Sequence, residues 1–459
     1  MSAIESDEDL EKPQLSIWEL AWPTILSNLM FAAVGLVTIK VVGVLGATDV
    51  AAVTTGHRIF FALQAVLMAI SAGTTALVAR AWGAKDYAEA AKVTSVSLWI
   101  GNLAALGLMI PCLIFSLEIA GVFGLDTETT SKAGTFIRYL SAFNLAFAVN
   151  MIIGAALRAA GDTRTPLWIG VIINIINIAL VYWLVFGGFG ISAMGISGAA
   201  LANGISFAVG AVLSLILWYG NWLKVGVGGK GSVVKHRIRQ IVHIGYPAGV
   251  EQLVFQAGFI AFLWIVADHG TAAFAAYGIG VQILSVSFVV GFGFSIAGAT
   301  LVGQHLGARD PAGAVEKGWR ATYAAIGSMV MLSVVIAWYA EAIASFLIAD
   351  AEVIRLTVIF IYIMALAQPL MAIEFTLGGC LRGAGDTRFP LITTLCGLVG
   401  VRVLLAAIFT YLDLSVTWIY ASLLGDYLVK GVMLTHRFHS GKWKQIFVES
   451  ENRFAKYRQ

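Results

Sequence analysis

The stretch "LRAAGDTRTPL" (157–167) returns as "LRGAGDTRFPL" (381–391), 224 positions later. The same offset relates "LVARAWGAKD" (77–86) to "LVGQHLGARD" (301–310), and Pro23 in "AWPTIL" to Pro247 in "GYPAGV". It also aligns the Gly, Thr/Ala and Ala-Ala positions of "LGATDVAAV" (45–53) with those of "HGTAAFAAY" (269–277). One offset shared by four separate motifs makes the chain a tandem repeat. Between the motifs the sequence is apolar: 59% hydrophobic, 12% charged, mean hydropathy +0.86 over 459 residues. Soluble domains carry about 25% charged residues. Runs of roughly 20 apolar residues recur from end to end, the length a helix needs to cross a bilayer while satisfying its own backbone. Barrel strands are short and alternating, so a β-barrel is excluded.

The fold class is therefore an all-α polytopic membrane protein. Twelve transmembrane helices are expected, roughly at 16–45, 50–80, 92–118, 133–158, 164–187, 192–219, 243–268, 273–304, 318–347, 353–381, 388–412 and 414–437. The domain reading is a tail (1–15), an N-half six-helix bundle (16–219), a glycine-rich basic linker (220–242), a C-half six-helix bundle (243–437) and a second tail (438–459). Six is even, so both halves share one topology and are related by a pseudo-twofold axis along the membrane normal.

Charge sets the orientation. One set of loops holds Arg80, Lys85, Lys92, Arg158, Arg164, the linker cations, Arg309, Lys317, Arg320, Arg382 and Arg388. The other holds Asp49, Asp126, Glu128, Asp268, Glu341, Asp350, Glu352 and Asp413, with Lys132, Arg138 and Arg355 as basic company. The basic set is expected on the cytoplasmic side, with both termini. A net charge of +3 gives no reason to expect nucleic acid. Cys112, Cys380 and Cys396 form no CxxC pair, so no metal site is expected. The acidic start "MSAIESDEDLEKPQ" lacks the basic region of a cleavable signal peptide, so the first helix is expected to remain.

Two halves, each with a "GAxD" loop after its second helix and an "LRxAGDTR" loop after its fourth, resemble the multidrug and toxic compound extrusion (MATE) family, with the DinF-like branch most similar. The segment "FGFSIAGATLVGQHLGARDPAGA" (292–314) is typical of it, and the resemblance covers about residues 15–440. It implies a multi-pass inner-membrane exporter of organic, often cationic, compounds, opening alternately to each side and driven by inward flow of H⁺ or Na⁺. No other cofactor is implied, and a monomer working on small molecules in the lipid bilayer is expected. The chain departs from the pattern. Thr38 stands where the branch carries a helix 1 aspartate. Asn177 matches a helix 5 asparagine, but Val181 replaces the aspartate four residues later. Glu251 and Glu374 are each displaced by about a turn from acidic positions of other branches.

Ionisable groups inside membrane helices cost about 2.5–3.5 kcal/mol at the centre on insertion scales, so they pair or line cavities. Lys40 and Arg58 are placed about 9 Å and 12 Å from the outer helix ends, at similar depth. They read either as snorkelling side chains or as a basic cavity lining. By the repeat offset they correspond to Trp264 and Gln282, so this charge belongs to one half only. Glu251 and Glu374 share a depth in the C-half, and two carboxylates in one low-dielectric cavity favour sharing a proton or a cation. They are the coupling-ion candidates, with Gln252, Gln256 and Gln282 as polar neighbours. Arg402 and Asp426 read as a buried ion pair, or Arg402 as a free cavity cation. Asn174 and Asn177 read as interhelical hydrogen-bonding groups or cavity contacts. Neither HExxH nor GxSxG occurs, so an enzyme is not expected. The leading function is cation-coupled efflux of organic compounds; the alternative is a same-fold exporter or flippase for an anionic or lipid-linked substrate.

Overall fold

The computed structural model describes residues 15–122, 124, 126–188, 190–229 and 235–446. Most of the two tails and Lys230 lie outside these residues. The described chain is helical, with an isolated bridge between Gly188 and Ile191 as its β contact.

Twelve membrane helices follow in order. In the N-half they are α1 (Ile17–Gly43), α2 (Ala47–Leu63 and Ala65–Gly83), α3 (Tyr87–Ile114), α4 (Thr127–Ser141 and Asn144–Ala159), α5 (Arg164–Phe186) and α6 (Gly195–Tyr219). In the C-half they are α7 (Lys235–Asp268), α8 (Thr271–Gly307), α9 (Pro311–Trp338), α10 (Ala351–Gly383), α11 (Arg388–Tyr411) and α12 (Val416–His439). Two short helices, Ser116–Gly121 and Ala340–Leu347, cap equivalent loops of the two halves. Ten of the twelve are apolar enough to span by composition, or eleven if the two arms of α4, bent by 56°, count as one. The remaining one is α12, whose core carries Asp426 and Lys430.

Local chemistry repeats with the sequence. Asp86 accepts from the Glu89 amide at the start of α3, and Asp310 from the Gly313 amide at the start of α9, each at 2.9 Å. These N-caps satisfy amides that have no partner within the helix. Just before them, Lys85 and Arg309 both adopt φ 57°. The two GDTR turns behave as twins. Thr163 Oγ1 donates to the Glu19 carbonyl of α1 at 2.9 Å, and Thr387 Oγ1 to the Ile244 carbonyl of α7 at 2.5 Å.

Several boundaries differ from the sequence expectation. The C-half helix α7 begins at Lys235, so the end of the expected linker is already helix. Helix α2 is interrupted at Gln64. Within α11, residues Leu395–Val403 are wound as a π-helix. Helix α1 ends at Gly43, which puts Lys40 in its last turn, about 5 Å from the end. Arg58 lies about 17 Å along α2 from Ala47. The expected common depth of these two cations is therefore corrected. The sequence reading carried α1 on through Val44 and Leu45, which form a turn.

The halves exchange their first helices' bases. Leu20 and Ala21 of α1 are buried in the C-half core, and Ile241 and Ile244 of α7 in the N-half core. The closest approaches are reciprocal. A β-carbon at Gly83 would strike the Gln304 backbone, and one at Gly307 the Arg80 backbone. Likewise Gly245 and Gly249 of α7 press on Ala69 of α2, while Ala21 and Ile25 of α1 press on Gly293 of α8. Each contact is the image of its partner under the repeat offset, as an axis along the membrane normal requires.

Candidate functional site

Two features stand out: a cleft between the halves, and a charged network inside the C-half. The cleft follows from burial along four helices. All the interhalf contacts named above lie between the basic loops and mid-helix. Gln304 Nε2 adds a hydrogen bond to the Ala159 carbonyl at 2.8 Å and Thr300 Oγ1 one to the Arg158 carbonyl at 3.1 Å. Arg237 grips Glu89 with two bonds of 2.7 Å. Past mid-helix the same stripes lose their cover. Ala21 is buried but Ala32 and Leu36 are exposed; Ala65 is buried but Arg58 is exposed. Gly293 is buried but Val286 and Gln282 are exposed, and on α7 the buried Gly245 and Gly249 give way to half-buried Gln252 and Gln256. The molecule is closed on the basic side and open on the other.

The network sits beneath this opening in the C-half. Lys430 Nζ of α12 lies 2.9 Å from Glu374 Oε1 of α10 and 3.1 Å from Asp426 Oδ1 one turn back. Arg402, in the π segment, pairs with Asp426 Oδ2. Both cations lie over the Tyr427 ring, the Arg402 guanidinium at 5.3 Å and the Lys430 ammonium at 5.5 Å from its centroid. Asp426 is fully buried, whereas the Glu374 side chain keeps 22% of its surface exposed. Neither Asp426 oxygen makes an aligned hydrogen bond among the described residues, so charge alone holds it. The π winding brings Gly397 against Asp426 and Lys430, with no room for a β-carbon. π segments of this kind recur at functional sites.

Glu251 is turned away from the cleft. Arg382 Nη2 donates to its Oε1 at 2.8 Å and Thr394 Oγ1 to the same atom at 3.2 Å. The structure thus gives Glu251 and Glu374 separate cations instead of bringing the two carboxylates together. Sequence reasoning missed Lys430 altogether, although an Asp-x-x-x-Lys pair in the apolar run "LLGDYLVKGV" (423–432) was a legible signal. It also read Arg382 as a loop charge, although it belongs to α10.

The other candidates scatter. Thr38 is buried and its hydroxyl donates to the Val34 carbonyl of its own helix at 3.0 Å. Asn177 donates to Asn203 Oδ1 at 3.0 Å, joining α5 to α6, and Asn174 is buried nearby on α5. Val181, at the missing aspartate position, is fully buried. Lys40 and Arg58 are exposed and make no hydrogen bond or ion pair among the described residues. On the basic side Arg437 Nε donates to Asp386 Oδ2 at 2.8 Å, yet burial of the turn pushes the Asp386 carboxyl up.

The family model MatE matches this chain twice, over residues 23–183 and 247–408, each match starting at one of the repeated prolines. The chain belongs to the MATE family. A relative named as a probable multidrug resistance protein NorM, from Thermotoga maritima, is 27% identical over 456 residues, covering 97% of this chain and 96% of its own. The MATE transporter VcmN of Vibrio cholerae in its bent form superposes with a TM-score of 0.86 at 18% identity, over 94% of this chain and 97% of its own. A MOP superfamily transporter from Pyrococcus furiosus, described for the reverse polarity of its binding pocket, superposes with a TM-score of 0.84 at 20% identity, over 93% and 96%. Likeness at such identities shows the fold alone. These matches fix the MATE family and its twelve-helix, two-lobed fold, not the branch within it. A MATE protein is a transporter, not an enzyme, so the cleft and the network are parts of a transport machine.

Proposed function

We propose that this MATE protein exports small organic compounds across the inner membrane, working as a monomer by proton antiport with the basic side and both termini in the cytoplasm. Substrate enters the cleft between the halves, and the halves rock about their glycine contacts to expose it to either side. The observation that carries the coupling is the position of Lys430. Its ammonium occupies the space between Glu374 and Asp426 where a bridging Na⁺ would sit. A proton needs no such space. Protonating Glu374, the exposed end of the network, removes one of the two anions that hold Lys430. Lys430 then draws wholly onto Asp426, its neighbour on α12, and the tie between α10 and α12 weakens. Glu251 and Arg382 form a second tie of the same kind between α7 and α10. Loss and recovery of these ties links proton entry to helix rearrangement.

Transport in proteoliposomes with an imposed pH or Na⁺ gradient tests this. A pH gradient is expected to drive uptake of a transported dye, and Glu374→Gln to lower its coupled rate by about tenfold or more, in line with the loss of a buried charge partner. Glu251→Gln is expected to act in the same direction. Normal transport by both variants under either gradient would remove the C-half carboxylates from the mechanism.

A further inference from the structure

Charge balance inside the membrane helices is uneven. Away from the helix ends, the carboxylates within the described spans, Glu251, Glu374 and Asp426, already hold Arg382, Lys430 and Arg402. A cationic substrate in the cleft meets, away from the helix ends, no carboxylate of the described residues without a cation. Arg58, well inside α2, has no counter-ion on the described chain and is exposed. An arginine kept at such depth is costly unless it faces a cavity and meets a partner there.

Arg58 lies on the exposed face of the first arm of α2, in line with the exposed Ala51 and Ala47. Ala65 of α2 packs on Gly249 of α7. The break at Gln64 separates Ala65 from the arm that carries Arg58, about 10 Å further towards the open side. Gln256 lies seven residues past Gly249 on the continuous α7, turned by only about 20° and about 10 Å further towards the open side. The helices run antiparallel, with Ala69 against Gly245 and Ala65 against Gly249, so the arm bearing Arg58 and the stretch of α7 bearing Gln252 and Gln256 continue towards the same open side. The N-half wall beside Arg58 is aromatic: Phe61 packs edge-on against Phe31, Phe60 and Phe147.

We infer that the substrate of this transporter is an organic anion, its carboxylate or sulfonate held by Arg58 opposite Gln256 and its apolar body against the Phe61 wall. This deepens the efflux reading and rests on it. A guanidinium presents two parallel N–H donors that match a carboxylate bidentately, and desolvation in a narrowing cleft strengthens that bond. Gln256 supplies an uncharged donor on the other half, so the anion spans both walls and favours their approach.

The test uses the whole protein in phosphatidylcholine vesicles under a pH gradient, with carboxyfluorescein as anionic probe and ethidium as cationic probe. Carboxyfluorescein is expected to move and ethidium not. Arg58→Gln is expected to lower carboxyfluorescein transport by about tenfold or more, Arg58→Lys to retain part of it, and Arg58→Glu to admit ethidium. Because Arg58 touches no partner, all three variants are expected to purify with the wild-type size-exclusion profile. Ethidium transport without carboxyfluorescein transport, or full carboxyfluorescein transport by Arg58→Gln, would overturn the inference while leaving efflux standing. Movement of neither probe would sink the efflux reading and this inference with it.

Discussion

Lys430 is the residue on which the C-half depends. It is almost fully buried and joins two carboxylates that would otherwise face each other's charge. Removing one member of a buried ion pair costs about 3–5 kcal/mol, because the charge left behind has lost both water and partner. Lys430→Met is therefore expected to lower thermal stability in detergent, and Glu374→Gln added to it to recover part of the loss. A double-mutant cycle read by thermal unfolding checks this; strictly additive losses would show that the two side chains do not interact. At the other extreme stands Lys40. It sits in the last turn of α1, where its charge suits the helix C-terminus and its stem reaches water. Lys40→Ala is expected to change transport by less than about twofold, within the range of an exposed helix-end charge. The charged residues themselves were legible in the sequence, and so was the pairing of types. Which acid meets which base was not, because depth along a helix leaves its rotation open. The sequence places Glu251 and Glu374 at one depth, yet Glu251 is turned about 120° from the cleft stripe of α7.

Among the elements, α11 shows how tertiary packing overrides local preference. Nothing in "LCGLVGVRV" (395–403) forbids an ordinary α-helix. The wider winding follows from what it packs on: Asp426 and Lys430 press against Gly397, and Arg402 must reach Asp426. That is why the sequence marks the helix and not its π segment. The break of α2 at Gln64 is equally silent, with neither proline nor glycine at the site. Gly397→Val is expected to abolish transport and lower stability, since a branched side chain there has to displace two charged groups. Gly400→Ala, in the same segment but where a β-carbon would meet only the Leu395 carbonyl at an ordinary 3.7 Å, is expected to be tolerated. Equal transport by the two variants, measured on matched amounts of membrane protein, would mean that the π segment has no special packing demand.

For the whole molecule, closure of the basic side is the stabilised feature. Glycine contacts let the backbones of α2 and α8 touch, and the Arg237–Glu89 pair adds a clasp between the halves. Both side chains of that pair are partly exposed, so its contribution is about 1 kcal/mol or less. That is enough to shift a balance between two conformations by several-fold. Arg237→Glu is expected to favour opening on the basic side, seen as faster alkylation of a cysteine placed at Thr300. The double exchange Glu89→Arg with Arg237→Glu is expected to restore the slow rate; continued fast alkylation would deny the clasp. The repeat that divides the molecule was readable from four motifs alone. The exchange of helix bases was not, since motif spacing says nothing about which core a helix enters.

That exchange has a consequence for ancestry and assembly. An interface in which Gly83 meets Gln304 while Gly307 meets Arg80 has the form of a twofold homodimer, where one patch meets its own copy. The chain is built as though two identical protomers had been joined end to end, each lending its first helix to the other. Each half alone would leave an unfilled slot in its core and a bare apolar helix base. Two separately expressed fragments, cut at residue 229 in the linker, are thus expected to find each other in the membrane and co-purify as a complex that neither forms alone.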